Sequence, residues 1–115
     1  MVIRNGSVYW VDFSPGKGSE PMGRSPGLVV QHDRLNDSKL NTVIVIAITS
    51  NMRFGDLPGN VVLKKGEANM PKNSVINVTQ IKTVDKNSLK EKIGSLSRDR
   101  MSEVQEGIKL IMDMS

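Results

Sequence analysis

Thr42-Val43-Ile44-Val45-Ile46-Ala47-Ile48-Thr49 decides the fold. Every residue in it except Ala47 is β-branched, and no polar residue interrupts it between its two threonines. A run of this length without alternation predicts a central strand covered on both faces. It falls far short of the roughly 18 apolar residues of a membrane span, and it ends in the polar Thr49-Ser50-Asn51. Working outward, Ser7–Phe13 (SVYWVDF) reads as a strand with Val8, Trp10 and Asp12 on one face and Tyr9, Val11 and Phe13 on the other. Residues 27–32 (GLVVQH), 60–64 (NVVLK) and 74–79 (SVINVT) read as further strands, and residues 80–84 continue the last in extended form. Residues 14–26 hold three prolines and three glycines and read as a long surface loop, with residues 51–59 as a second. Residues 33–41 are polar and turn-like with room for one helical turn, and residues 88–92 read as another.

The C-terminus changes period. Met101, Val104, Ile108, Ile111 and Met112 recur mostly at spacings of three and four, the stripe of an amphipathic helix. Ser97 is placed to cap it, and Asp99 and Glu103 lie early, where the helix dipole favours acids. The expected fold is mainly β: a small, strongly bent antiparallel β-barrel with a C-terminal α-helix, in one domain spanning residues 1–115. Trp10 is expected in its core.

Composition narrows the chemistry. The 115 residues are 37% hydrophobic and 24% charged, which suits a soluble globular domain. The opening residues lack the apolar core of a signal peptide, so a cytoplasmic setting is expected. Without cysteine there is no disulfide, thiolate zinc site or cysteine nucleophile. The single histidine, His32, leaves little for a Ser-His-Asp triad or a multi-histidine metal site, so no metal and no cofactor are expected. His32 itself reads as a surface or hydrogen-bonded structural residue. The net charge of +4 favours polyanions, but only four aromatic residues cannot make a broad base-stacking platform.

Polar groups suited to chemistry fall in a few places. Lys17, Glu20 and Arg24 share the first long loop. Thr49, Ser50 and Asn51 end the apolar strand. Asn77 and Thr79 share one strand face, with Gln80 and Lys82 on the other; their plain alternative is a solvated barrel side. Donors and cations without clustered carboxylates suit RNA cleavage by the substrate's own 2′-hydroxyl. There the protein need only orient the nucleophile, move protons and stabilise a phosphorane dianion.

Four motifs in order carry a resemblance. They are Gly6-Ser7-Val8-Tyr9-Trp10-Val11-Asp12-Phe13-Ser14-Pro15; Gly18-Ser19-Glu20 followed by Pro26-Gly27-Leu28-Val29-Val30; Ala47-Ile48-Thr49-Ser50; and Gln80-Ile81-Lys82-Thr83-Val84-Asp85. Over almost its whole length the sequence resembles the MazF/PemK/Kid toxins of bacterial toxin–antitoxin systems. The resemblance implies a homodimeric, metal-independent endoribonuclease that cuts single-stranded mRNA to 2′,3′-cyclic phosphate and 5′-hydroxyl ends, and that an acidic cognate antitoxin neutralises. It implies that Thr49 binds the scissile phosphate, that Gln80 lies beside the substrate path, and that Glu20 contacts a base or transfers a proton. Lys17, Ser19, Ser50, Asn51, Arg53, Asn77, Thr79 and Lys82 complete the expected RNA-binding set, with Phe54 as a candidate for base stacking.

Two positions depart from the family pattern. The family usually has its main catalytic arginine directly before the proline that opens the second strand. Ser25 stands there, with Arg24 one residue earlier. A one-residue shift in an extended segment reverses the face a side chain takes, so Arg24 substitutes only if the chain bends. The favoured alternative is a copy impaired at Ser25, by natural variation or by replacement. Thr79 stands where relatives commonly carry an acid. A non-catalytic RNA-binding barrel and a gyrase-inhibiting toxin of the same fold are the competing functions.

Overall fold

The computed structural model describes residues 2–13 and 23–114. Its strands are β1 (Ser7–Phe13), β2 (Gly23–Val29), β3 (Thr42–Thr49), β4 (Val61–Leu63), β5 (Ser74–Asp85) and β6 (Leu89–Ser95). Helix α1 (Asp33–Asn36) is a single turn, and α2 (Arg98–Ile111) follows the last strand. Short 3₁₀ turns occupy Met52–Asp56, Glu67–Asn69 and Lys86–Ser88. All six strands form one antiparallel sheet in the order β4-β5-β3-β2-β1-β6.

The apolar run is β3, in the middle of that sheet. Ile46 and Ile48 join Val8, Leu28, Val61, Leu63, Ile76, Val78 and Val104 of α2 in one cluster. Val43, Val45 and Ala47 join Tyr9, Val11, Phe13, Val29 and Leu89 in another. The strand is apolar throughout because each face meets a different core. β1 divides its side chains between the same two clusters, with Val8 in the first and Tyr9, Val11 and Phe13 in the second.

The sheet curls into a half-barrel that brings its two ends together. Asn69, in the turn after β4, donates from Nδ2 to the carbonyl of Ile93 in β6 at 2.9 Å. A Cβ at Gly94 would lie 2.2 Å from the Ala68 carbonyl oxygen, so only glycine fits that closure. Helix α2 begins as expected, with Ser97 Oγ accepting from Arg100 N at 3.2 Å. It seats on the connection before β4: a Cβ at Gly107 would lie 2.2 Å from the Gly59 carbonyl oxygen. Met112 falls beyond the helix and is exposed, so the packed stripe ends at Ile111. No described helix is long and apolar enough to cross a membrane.

Three expectations change. Residues 88–92 are not a helical turn; Leu89 opens β6, which pairs with β1 through Val11↔Leu89 and Tyr9↔Lys92. Only Leu89 of its first four residues is buried, while Lys90, Glu91 and Lys92 are exposed, and charges on an edge strand discourage further pairing. The second strand begins four residues before the expected Gly27 and ends at Val29, so Arg24, Ser25 and Pro26 belong to a strand rather than a loop. Trp10 is half-buried at a cavity wall instead of in the core. His32, by contrast, is exposed and caps α1 through Nδ1, which accepts from Arg34 N at 3.0 Å.

Candidate functional site

Both ladders that flank β3 break at Ala47. On one side, β2 pairs with β3 from Val29↔Val45 to Gly27↔Ala47 and no further. The next residue of β2 is Pro26, which has no N–H to extend the ladder. The strands diverge from there, while Pro26 keeps Trp10 as its partner in β1. Continuing the lost register would set Ser25 across from Thr49.

On the other side, β3 pairs with β5 through Ile46↔Ile81 and then through Ile48↔Ile76. Residues 77–80 of β5 therefore stand opposite Ala47 alone. A bulge this wide turns side chains out of the regular alternation, as bulges beside active sites commonly do. Asn60 holds it. Its Oδ1 accepts from the Val78 N–H at 2.9 Å, while its Nδ2 donates to the Phe54 carbonyl at 2.9 Å and to Asn77 Oδ1 at 3.2 Å.

The two breaks open a cavity of about 380 Å³. Trp10, Arg24, Ser25 and Pro26 line one wall, Thr49 and Ser50 the strand end, and Asn77 and Gln80 the bulge. Phe54 and the segment Met70, Pro71, Lys72 and Ser74 complete it. The site is half apolar and half polar, with hydroxyls, amides and two cations, and the described residues contain no group of three or more His, Cys, Asp or Glu side chains fit for a metal.

Thr49 is oriented within it: its Oγ1 accepts from Asn51 N at 3.1 Å, leaving the hydroxyl proton for another acceptor. Asn51 also accepts from Arg53 N at 3.1 Å, capping the Met52–Asp56 turn that carries Phe54 to the cavity. Arg24 lines the same space, but its guanidinium lies 6.0 Å from the centroid of the Trp10 ring and forms an ion pair with Glu91 of β6. That contact draws the charge across β1, toward the sheet edge. Both partners are largely exposed, so an incoming anion displaces the pair at small cost.

Of the residues expected from the sequence, Arg24, Ser25, Thr49, Ser50, Asn77, Gln80 and Phe54 converge on this cavity. Asn51 supports it without lining it. Arg53, Thr79 and Lys82 are not on its wall, and Thr79 is exposed. Lys17, Ser19 and Glu20 lie outside the described residues. Asn77 is buried and bonded to Asn60, so burial, not solvation, accounts for its polar side chain. Sequence reading missed Trp10, Lys72 and Asn60. Trp10 looked like core, and Lys72 and Asn60 sit in turn-rich segments that carry no periodic signal.

Behind the Met70–Ser74 wall, Glu67 is clamped by Arg100 of α2 at 2.9 Å and by the Lys64 N–H at 2.7 Å. These contacts hold the Glu67 carboxyl below the usual carboxylate range, the Arg100 hydrogen bond being the larger cause. The same ion pair, together with Glu103, raises Arg100.

A family profile described as PemK-like, MazF-like toxin of type II toxin-antitoxin system matches residues 4–112. The chain is 41% identical over 114 residues to Endoribonuclease MazF2 of Mycobacterium bovis, covering 99% of this chain and 100% of that one. Among solved structures, MazF from Deinococcus radiodurans superposes with a TM-score of 0.81 at 23% identity, covering 99% of each chain. An endoribonuclease from Mycobacterial species, solved in complex with its cognate antitoxin, gives 0.80 at 19% identity over 98% of this chain and 97% of that one.

Proposed function

The chain belongs to the PemK-like, MazF-like toxin family of type II toxin–antitoxin systems, and from that premise we propose that its cavity at Ala47 is the RNA-cleaving site of a toxin endoribonuclease. One observation carries the reading: the breaks in the two ladders of β3 bring Ser25, Thr49 and Gln80, from three strands, to one cavity. These are the positions where the family motifs place the cation, the phosphate-binding hydroxyl and the amide.

The chemistry follows from the donors. The substrate's 2′-oxygen attacks the adjacent phosphorus, the bond to the 5′-oxygen breaks, and a 2′,3′-cyclic phosphate and a 5′-hydroxyl result. A proton leaves the 2′-hydroxyl and another reaches the departing oxygen, so the protein supplies proton transfer and charge stabilisation without a metal. Thr49 donates its free hydroxyl proton to a non-bridging phosphate oxygen. Gln80 fixes the neighbouring nucleotide with its amide. To Glu20 the family resemblance assigns either contact with a base or proton transfer.

Ser25 is neutral and cannot stabilise the phosphorane as an arginine would. Arg24, held over Trp10, serves only after it leaves Glu91. The lip opposite Thr49 therefore lacks its cation until Arg24 is released, and cleavage is reduced to the extent that Arg24 does not reach the phosphate. The protein acts in the cytoplasm as a homodimer, as the family does, and an acidic antitoxin segment competes with RNA for the same positive site.

The test pairs this protein with its Ser25→Arg variant on long single-stranded RNA in EDTA, reading the chain ends. Cleavage raised at least about a hundredfold in the variant, with cyclic-phosphate ends, supports the assignment. Equal cleavage by both gives Arg24 the role instead. If neither cuts, the site is a binding surface and the ribonuclease assignment fails.

A further inference from the structure

We infer that Lys72 is an RNA-phosphate-binding residue, supplying from the wall opposite β2 the positive charge that the Ser25 position lacks. The inference rests on the cavity being an RNA site and adds a residue outside the four family motifs.

Three observations carry it. First, the cavity wall holds two cations, Arg24 and Lys72, and Arg24 is engaged by Glu91. Lys72 forms no ion pair among the described residues, so its ammonium is available to an anion. Second, the position is set by the sheet. Thr49 pairs with Val75, the last step of the β3–β5 ladder, and Ser50 and Ser74 just past it are both on the wall. Lys72 lies two residues beyond Ser74, on the Thr49 side of the cavity. A lysine stem reaches several ångströms from its backbone, and its compact ammonium suits a single phosphate.

Third, the backbone that carries it is pinned. Ser74 Oγ donates to the Lys72 carbonyl at 2.9 Å, Met70 is buried in the core under α2, and Asn73 Oδ1 accepts from Lys65 N at 2.8 Å. Just before Met70, Ala68 and Asn69 both adopt left-handed backbone, at φ 51° and 59°. Such strain persists where surrounding contacts over-determine it, and here the Glu67–Arg100 clamp and the Asn69 bond to β6 do so. An exposed lysine on a loose loop would lose much of its binding energy to ordering; this one is presented by a fixed segment.

The experiment measures binding of a mixed-sequence single-stranded RNA made uncleavable by 2′-fluoro ribose, across a series of salt concentrations. The proteins are the parent, Lys72→Gln, Lys72→Arg and Lys109→Gln. Lys109 lies near the end of α2, paired with Glu106, and its variant controls for net charge alone. Lys72→Gln is expected to weaken binding about tenfold at low salt. It should also reduce the slope of log affinity against log salt by about 0.7, the loss of one phosphate contact. Lys72→Arg should keep both. A structural role would not move the salt slope, and thermal unfolding confirms that each variant folds. If the parent binds and Lys72→Gln behaves like Lys109→Gln, the assignment of Lys72 is overturned while the cavity reading stands. If the parent does not bind at all, both fall.

Discussion

Asn60→Ala tests whether the bulge in β5 makes the site. Asn60 is half-buried between the Met52–Asp56 turn and β5, and it makes three hydrogen bonds. The costliest loss is at Val78, a residue with no exposed surface, whose N–H would be left without its acceptor. Stranding such a group costs about 1–3 kcal/mol. The bonds donated to Phe54 and Asn77 contribute about 1 kcal/mol each, and water entering the half-open space recovers part of that. A net loss of about 2–3 kcal/mol follows, or roughly 10 °C in the unfolding midpoint of a domain this size. Because Asn77 precedes Val78 and Gln80 follows two residues after it, affinity for uncleavable RNA should fall in the same variant, under conditions where it remains folded. Thermal unfolding followed by circular dichroism gives the first quantity and RNA titration the second. A midpoint within about 2 °C of the parent would mean that the bulge stands without Asn60, which would refute Asn60 as its support.

Two further predictions concern the supports of the cavity. Gly107→Ala gains about 1 kcal/mol of helix propensity but drives a Cβ to 2.2 Å from the Gly59 carbonyl oxygen; overpacking of about 2–3 kcal/mol wins, so denaturant unfolding should show a net loss, and a gain would mean that α2 does not seat so closely. The Glu67 carboxyl is held below its free value by Arg100, so its contribution is full above the unfolded-state pKa of about 4.3 and is lost as pH falls through the lower folded value. Glu67→Gln should therefore flatten the acid limb of the stability profile below that pH and lower stability at neutral pH, and an unchanged acid limb would refute the assignment.

How far the sequence reveals the site depends on which interaction sets each residue. The apolar run was readable as a buried strand because its two cores act on every side chain in it. The terminal helix was readable because its spacing is periodic and Ser97 caps it. β6 was not: Lys90, Glu91 and Lys92 carry no apolar alternation, and only the pairing with β1 makes them a strand. Thr49 and Gln80 were found through motif order, but their convergence depends on two ladder breaks. One of these is announced by Pro26; the other rests on Asn60, a side chain seventeen residues from Asn77 in sequence. Local propensity has no term for a contact of that kind.

The skipped register at residues 77–80 also separates the motions of the site from those of the sheet. Amide protons in the regular ladders exchange with solvent only when a cooperative unit opens. The Val78 amide is held instead by a side chain from another segment. Its exchange with deuterium is therefore expected to report the release of that one asparagine rather than the opening of a whole ladder. Gln80 lies inside that break, while Ile76 and Ile81, on either side of it, keep their partners in β3.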